Sequence, residues 1–237
     1  MPGQLLKLFG TTTILTYAQN VALIPNLLAY WKLDETSGTT ATDASGNGYN
    51  GTYSGPTLNS IAGPSAGMGN APSFDGINDK MTPATLTGFT PGEGSWGAWC
   101  KVSGAGIWTD GASRPAGWFG VNTNNRYTMT KHTVANQFRY VSLVGGTTTA
   151  YNYTTAAPTG WFHVALTWKS TGSIVSYFNG TQVDSQAYAG TWSGSTYTGE
   201  VGTLSSSGVW WSGYLAHVAI YTRQLTAGEI TTLATAV

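Results

Sequence analysis

Apolar and polar residues alternate along most of this chain in short runs that stop at Gly, Asn or Asp. A two-residue period places alternate side chains on opposite faces of a strand, so the runs read as β-strands. The segments 28–34 (LAYWKLD), 72–81 (PSFDGINDKM), 95–102 (SWGAWCKV), 117–122, 126–131, 137–144, 161–168, 173–178, 181–186 and 214–221 carry this pattern. Within 95–102, Trp96, Ala98 and Cys100 share one face, and Trp99 and Lys101 share the other. Asn179-Gly180 sits between two such runs. A two-residue hairpin turn needs positive φ at both central positions, which Asn and Gly tolerate best. The turn therefore predicts Tyr177 and Phe178 set against Thr181 and Val183. Short strands with Gly-rich connections, such as 43–51 (DASGNGYNG), predict a sandwich or barrel.

A helical pattern is rare. In 226–236 (TAGEITTLATA), Thr226 and Glu229 have capping-box spacing, and Ile230 and Leu233 form an apolar stripe, so a short C-terminal helix is expected. Residues 1–27 differ from the rest. Leu5, Leu6 and Phe9 have the spacing of a short helix, and the segment reads either as an element packed on the domain or as an arm that anchors to a partner. One domain, 28–237, follows this leader.

Composition narrows the classes. Only 8% of the 237 residues are charged, against roughly 25% in an average protein. Net charge is zero with no basic run, which excludes the Lys/Arg footprint of a nucleic-acid binder. The single cysteine, Cys100, lies in an apolar strand pattern and reads as a buried thiol. No apolar run is long enough to span a bilayer. The N-terminal MPGQLLKLFGTTTILTYAQN is a poor export signal, interrupted by Gly10 and threonines.

Seven pieces then occur in a recognisable order: Y-W-K-L-D-E-T-S-G from Tyr30, D-A-S-G-N-G-Y-N-G from Asp43, S-F-D-G-I-N-D from Ser73, G-A-W-C-K from Gly97, W-F-H-V-A-L-T-W from Trp161, the Y-F-N-G hairpin, and the closing G-Y-L-A-H-V-A-I-Y-T-R-Q-L-T-A-G-E-I. Together they resemble the laminin G-like group of the concanavalin A-like lectin/glucanase superfamily, over about residues 28–237. The resemblance implies an all-β, two-sheet antiparallel jelly-roll sandwich with its first and last strands adjacent. It also implies a structural calcium site on the sandwich edge, with Asp43 and Asn47 in the D-A-S-G-N-G turn as ligands; Asp75 and Asp79 are other oxygen sources that read first as turn residues. Relatives commonly carry an acidic residue where this chain has Leu215-Ala216-His217, and a turn-stabilising role for Asp43 is the more ordinary reading.

Glycan hydrolysis usually needs two carboxylates across the scissile bond. This chain has four glutamates (35, 93, 200 and 229), no E-x-D-x-x-E run, and scattered histidines at 132, 163 and 217, so no enzyme is expected. His163, between Phe162 and Val164, reads as a packed histidine. A lectin site instead pairs an aromatic platform with a few hydrogen-bonding side chains on loops. The candidates are Trp108, Asp110, Arg114 and Trp118 in 107–118, Asn122 and Asn124 in 122–126, Trp192 in 188–197, and Trp211 of the Trp210-Trp211 pair. The alternative for each tryptophan is the core or a subunit interface. The expected function is a non-catalytic adhesion or structural protein on a virion surface, such as a bacteriophage decoration, head-fibre or tail protein. Residues 1–27 would then contact other copies or capsid and tail proteins, and the lectin-like domain would bind host or environmental glycans. A secreted or free-standing carbohydrate-binding module is the alternative, and a glycan hydrolase comes last.

Overall fold

The computed structural model describes residues 5–8, 11–122 and 124–235, with side chains from residue 15 onward. A hairpin of β1 (Leu5–Leu8) and β2 (Thr11–Ile14) precedes helix α1 (Tyr17–Leu23). Strands β3 (Leu27–Trp31), β4 (Thr40–Ala41), β5 (Gly51–Ser54), β6 (Thr57–Ala62), β7 (Asn70–Asp75) and β8 (Lys80–Pro83) follow. The long central strands are β9 (Glu93–Val102), β10 (Arg114–Asn122), β11 (Asn125–Lys131), β12 (Gln137–Val144), β13 (Thr147–Thr154) and β14 (Phe162–Lys169). The chain continues through β15 (Ser173–Phe178), β16 (Thr181–Ala187), β17 (Thr198–Val201), β18 (Thr203–Leu204) and β19 (Val209–Trp210). It closes with β20 (Ser212–Tyr221) and helix α2 (Ala227–Leu233).

Two antiparallel sheets face each other. The front sheet runs β13-β12-β11-β10-β17-β8-β5-β4. The back sheet runs β16-β15-β14-β9-β20-β7-β6, with β3 also paired to β20. First and last strands of the sandwich are therefore neighbours, as the family resemblance implied.

Alternation sorts the side chains as expected. Trp96, Ala98 and Cys100 of β9 enter the core between the sheets, with Phe162, Val164, Leu166 and Trp168 of β14. Trp99 and Ala165 point the other way, into a second core beneath the helices. The central strands of the back sheet, β9, β14 and β20, are thus buried on both faces. Burial also pushes the Cys100 thiol pKa up, so it stays protonated and inert.

The second core corrects the reading of the leader. Leu5 and Leu6 lie on a strand rather than a helix, and Phe9 lies outside the described residues. The helix comes later, opened by a capping box between Thr16 and Gln19. Tyr17, Val21 and Ile24 are buried against the back sheet, so from Leu15 on the segment packs on its own domain. Tyr17 links three elements: its hydroxyl donates to the Leu233 carbonyl at 2.8 Å and accepts from Trp99 Nε1 at 3.0 Å. The expected C-terminal helix forms with the Thr226–Glu229 capping box.

Asn179 and Gly180 have φ of 49° and 76°, the mirror-image turn that the sequence required. Phe178 pairs with Thr181, but Tyr177 pairs with Gln182, because a bulge displaces Val183.

With helices over the back sheet, the outer face of the front sheet is left open. Among the described residues no helix is long and apolar enough to cross a membrane.

Candidate functional site

Strand register builds the open face. On β10, Trp118 lies between Glu200 of β17 and Thr128 of β11, and Thr128 pairs onward with Val141 of β12. One rung along, Pro115 pairs with Thr130 and Thr130 with Arg139. Period two turns Tyr127 and Met129 into the core and leaves Arg126, Thr128 and Thr130 on the outer face.

Two joined hollows occupy this face. One, about 220 Å³, is lined by Arg126, Thr128, Thr130, His132, Arg139 and Leu204 among others. The second, about 230 Å³, is lined by Trp118, Asn122, Arg126, Leu204 and Ser206. Arg126 and Leu204 belong to both. Leu204 comes from the β18–β19 hairpin, which folds back against β10 and forms a wall. No aspartate or glutamate lines either hollow among the described residues.

Trp118 is held from behind. Its indole N–H donates to Glu200 Oε2 at 2.8 Å. The same carboxylate accepts from the Ser205 backbone N–H, the Ser205 hydroxyl and Lys80 Nζ. Burial acts to raise the Glu200 pKa, but the hydrogen bonds from Ser205, Trp118 and Lys80 outweigh it and hold the carboxyl below its usual range. Both oxygens are committed to donors, so Glu200 positions the ring and is not poised for acid–base work.

Two polar atoms of residues that line the hollow are sealed from solvent and unpartnered among the described residues. Thr128 is 4% exposed, and its hydroxyl has no partner among the described residues; the same holds for Arg139 Nε. Arg139 Nη1 lies 3.3 Å from His132 Nε2. Burial, then the positive charges of Arg139 and Lys131, push the His132 pKa down. Burial likewise lowers that of Arg126.

Of the residues singled out from sequence, Trp118 and Asn122 reach these hollows. Asn124 is exposed in the adjoining turn, where its N–H donates to Asn122 Oδ1 at 2.9 Å. The others have structural roles, which corrects the expectation. Trp108 is fully buried in the inter-sheet core with its indole N–H on the Pro158 carbonyl. Trp211 is fully buried as well, and its half-buried neighbour Trp210 takes the outward position. Trp192 stacks on Tyr127 at 5.2 Å and 13°, half-buried against the inter-sheet core. Asp110 pairs with Arg114 Nε and with Lys131 Nζ, both at 2.6 Å, and so neutralises a lysine whose side chain has no solvent exposure. Arg126, Thr128, Arg139 and Glu200 escaped the sequence reading. For Arg126 and Thr128 the alternation in 126–131 was the one signal, since it puts them on the face opposite Tyr127.

Asp43, the chief expected calcium ligand, is committed to its own turn. Asp43 accepts from the N–H groups of Tyr30, Ser45 and Tyr49 and from the Ser45 hydroxyl, which occupies both of its oxygens. Asn47 turns its NH₂ group, not its oxygen, toward the Leu27 and Leu28 carbonyls. Asp75 accepts from the N–H groups of Ile77 and Asn78. A cation needs open oxygens, and both of those of Asp43, the chief expected ligand, are spent on its turn, while the contacts of Asp75 fall on Oδ1 alone. On the closing strand, His217 occupies a bulge at φ 52° and bridges Tyr30 Oη at 2.6 Å and the Met68 carbonyl at 2.9 Å. His163 and His217 are buried under the helices, on the opposite side of the sandwich from the front face that carries His132.

A laminin G family model, described as concanavalin A-like lectin/glucanases superfamily, matches residues 74–231. The chain belongs to this superfamily. Solved structures give the laminin G-like domain the same fold. A crystal structure of an HCR/D mutant is 14% identical with a TM-score of 0.70, covering 88% of this chain and 50% of its own. The botulinum neurotoxin serotype D binding domain is 13% identical with a TM-score of 0.66, covering 88% and 51%. The binding domain of botulinum neurotoxin DC in complex with SialylT is 14% identical with a TM-score of 0.66, covering 88% and 50%. The laminin G-like domain thus spans about half the length of these chains. No curated protein matches it.

Proposed function

We propose that this protein is a non-catalytic, lectin-like adhesion module whose front-sheet hollow holds a glycan. The observation that carries the reading is the hollow itself: the half-buried Trp118 ring, pinned through its N–H, borders a polar floor with the unpartnered Thr128 hydroxyl and Arg139 Nε. Glycan recognition uses this combination, an apolar ring face for sugar C–H groups beside directional hydrogen bonders. The structural neighbours give the reading context. Cell entry of botulinum neurotoxin type C depends on interaction with two ganglioside molecules, and the DC binding domain has been solved with SialylT and with rat synaptotagmin II. Against hydrolysis stands the absence of a carboxylate pair: Glu200 is fully hydrogen bonded, and no acid lines the hollow among the described residues.

The setting we propose is the surface of a bacteriophage virion, as a decoration, head-fibre or tail protein that tethers the particle to host or environmental glycans. A charge-poor, aromatic-rich sandwich suits packing into such an assembly. The second reading is a free-standing or secreted carbohydrate-binding module that uses the same hollow.

The test is a glycan panel read by tryptophan fluorescence and calorimetry, with wild-type protein and Trp118→Ala. A ligand bound by the wild type and weakened at least about tenfold in the variant supports the reading. A panel with no Trp118-dependent ligand overturns it.

A further inference from the structure

The edges of the sandwich are not treated alike. An edge strand carries a row of unpaired backbone N–H and C=O groups that another chain can join, and proteins block such edges with charges, bulges, short strands or cover. At one end of the front sheet, β4 is two residues long. In the back sheet, β6 breaks register between Thr57 and Ile61, with Asn59 at φ 56°. The bulge at Val183 interrupts β16, and Asp184 of that strand lines the small cleft between the sheets. The free side of β3 is covered by the Asp43-Ala44 turn, which bonds both the N–H and the carbonyl of Tyr30.

Strand β13 has none of these devices. Its eight residues, TTTAYNYT, stay in register with β12 from Thr147 to Thr154 without a shift, and they include no charge, proline or glycine. Beyond its end, the Thr155 N–H donates to the carbonyl of Asn136. That contact fixes the phase of the ladder: odd-numbered residues bond to β12, and Thr148, Ala150, Asn152 and Thr154 aim their N–H and C=O groups outward. The Ala150 carbonyl accepts from Gln186 Nε2 at 3.4 Å and keeps a second lone pair. The other outward groups have no partner among the described residues.

We propose that β13 pairs with β13 of a second copy, antiparallel about a two-fold axis at Tyr151. That register sets Ala150 against Asn152 of the second copy and Thr148 against Thr154, so every outward residue falls in a hydrogen-bonded pair. Tyr151 then faces its own symmetry mate in a non-hydrogen-bonded pair, about 4.5 Å between Cα atoms, where cross-strand aromatic side chains touch. A two-fold axis brings each charge near its own copy, and a strand without charge escapes that repulsion. The same patch serves both chains, so the pairing closes at two. It does not depend on what the hollow binds. With a glycan there, both hollows open on the same side of one continuous sheet, and a multivalent surface is gripped twice.

The experiment is sedimentation equilibrium on the full chain over about a hundredfold range of concentration. Asn152→Pro removes an N–H that no bond within the single chain uses, at an edge position that accepts proline. Asn152→Lys places like charges diagonally across the two-fold axis. Thr57→Lys puts the same charge on the exposed far edge of the back sheet and is the control. The expected result is that the wild type and Thr57→Lys shift from one chain to two as concentration rises, while both Asn152 variants need at least about tenfold more protein to do so. Thermal midpoints of dilute samples check folding, and if one Asn152 variant fails to fold the other decides. A wild type that stays single throughout overturns the inference, as does a mass that climbs past two chains. A dimer that both Asn152 variants leave intact, or that Thr57→Lys weakens equally, places the contact elsewhere and overturns it too.

Discussion

Glu200 accepts the indole N–H of Trp118 at 2.8 Å, strand to neighbouring strand, while Lys80 and Ser205 satisfy the rest of its carboxylate. A buried acid therefore serves as the back support of an aromatic wall. Glu200→Gln replaces one acceptor oxygen with an NH₂ group facing donors that have nowhere else to go. The expected loss is about 2 kcal/mol of stability, read by urea unfolding, with weaker glycan binding because the Trp118 ring is no longer held. Unchanged stability would show that the carboxylate is not the linchpin.

Asp110 and Lys131 make a second pair whose value lies in burial. The lysine side chain has no solvent exposure, and the carboxylate is its counter-ion as well as that of Arg114. Burial acts to raise the Asp110 pKa, but the hydrogen bonds from Lys131, Ala112 and Arg114 outweigh it and keep the acid ionised. Asp110→Asn leaves a buried ammonium uncompensated, and a loss of about 3 kcal/mol or more is expected in the same unfolding assay. A glycan-contact role would instead reduce binding and leave stability intact.

Acid should unfold this protein through its histidines. Burial pushes the His163 pKa down to about 3 and that of His217 to about 4. Both groups are neutral in the folded state at pH values where the unfolded chain, titrating near 6.5, takes up protons. From these groups stability is level above pH 6.5 and falls as pH drops from there toward 4, by up to about 1.4 kcal/mol per pH unit per histidine. Glu229, held near 2 chiefly by Arg223, adds a further loss below its ordinary value of 4.5. Urea midpoints at pH 7.5, 5.5 and 4.5 test this. His163→Leu should shrink the slope between the first two, and an unaltered slope would remove His163 from the account.

Asp43 organises its turn by accepting from three backbone N–H groups and one hydroxyl. Asp43→Ala strands those donors, one of them the Tyr30 N–H of β3, and should cost about 2 to 3 kcal/mol. Treatment of the wild type with EGTA should leave the thermal midpoint where it was. A fall of several degrees that added calcium restores would return these residues to the role of metal ligands.

The candidate site was only partly legible in the sequence. Trp118 and Asn122 stood out as an aromatic and an amide at the ends of a predicted strand, and both reach the hollow. Trp108 and Trp211 looked equivalent to Trp118 because residue type carries no record of burial; the inter-sheet core decided for them. Arg126 and Arg139 were not singled out because they lie thirteen positions apart and reach one hollow only through the β11–β12 register.

What the sequence by itself determined was local and periodic. Two-residue alternation sorted Trp96 from Trp99, Asn179-Gly180 set the tight turn, and Thr226 with Glu229 capped the last helix, because each depends on backbone geometry over a few residues. Tertiary structure decided which faces stay open. Helices α1 and α2 pack on the back sheet and bury its outer side, which leaves the front sheet to gather Trp118, Thr128, Arg126 and Arg139. That choice arises from contacts between residues far apart in the chain, Tyr17 with Leu233 among them, and such contacts leave no periodic trace in the order of amino acids.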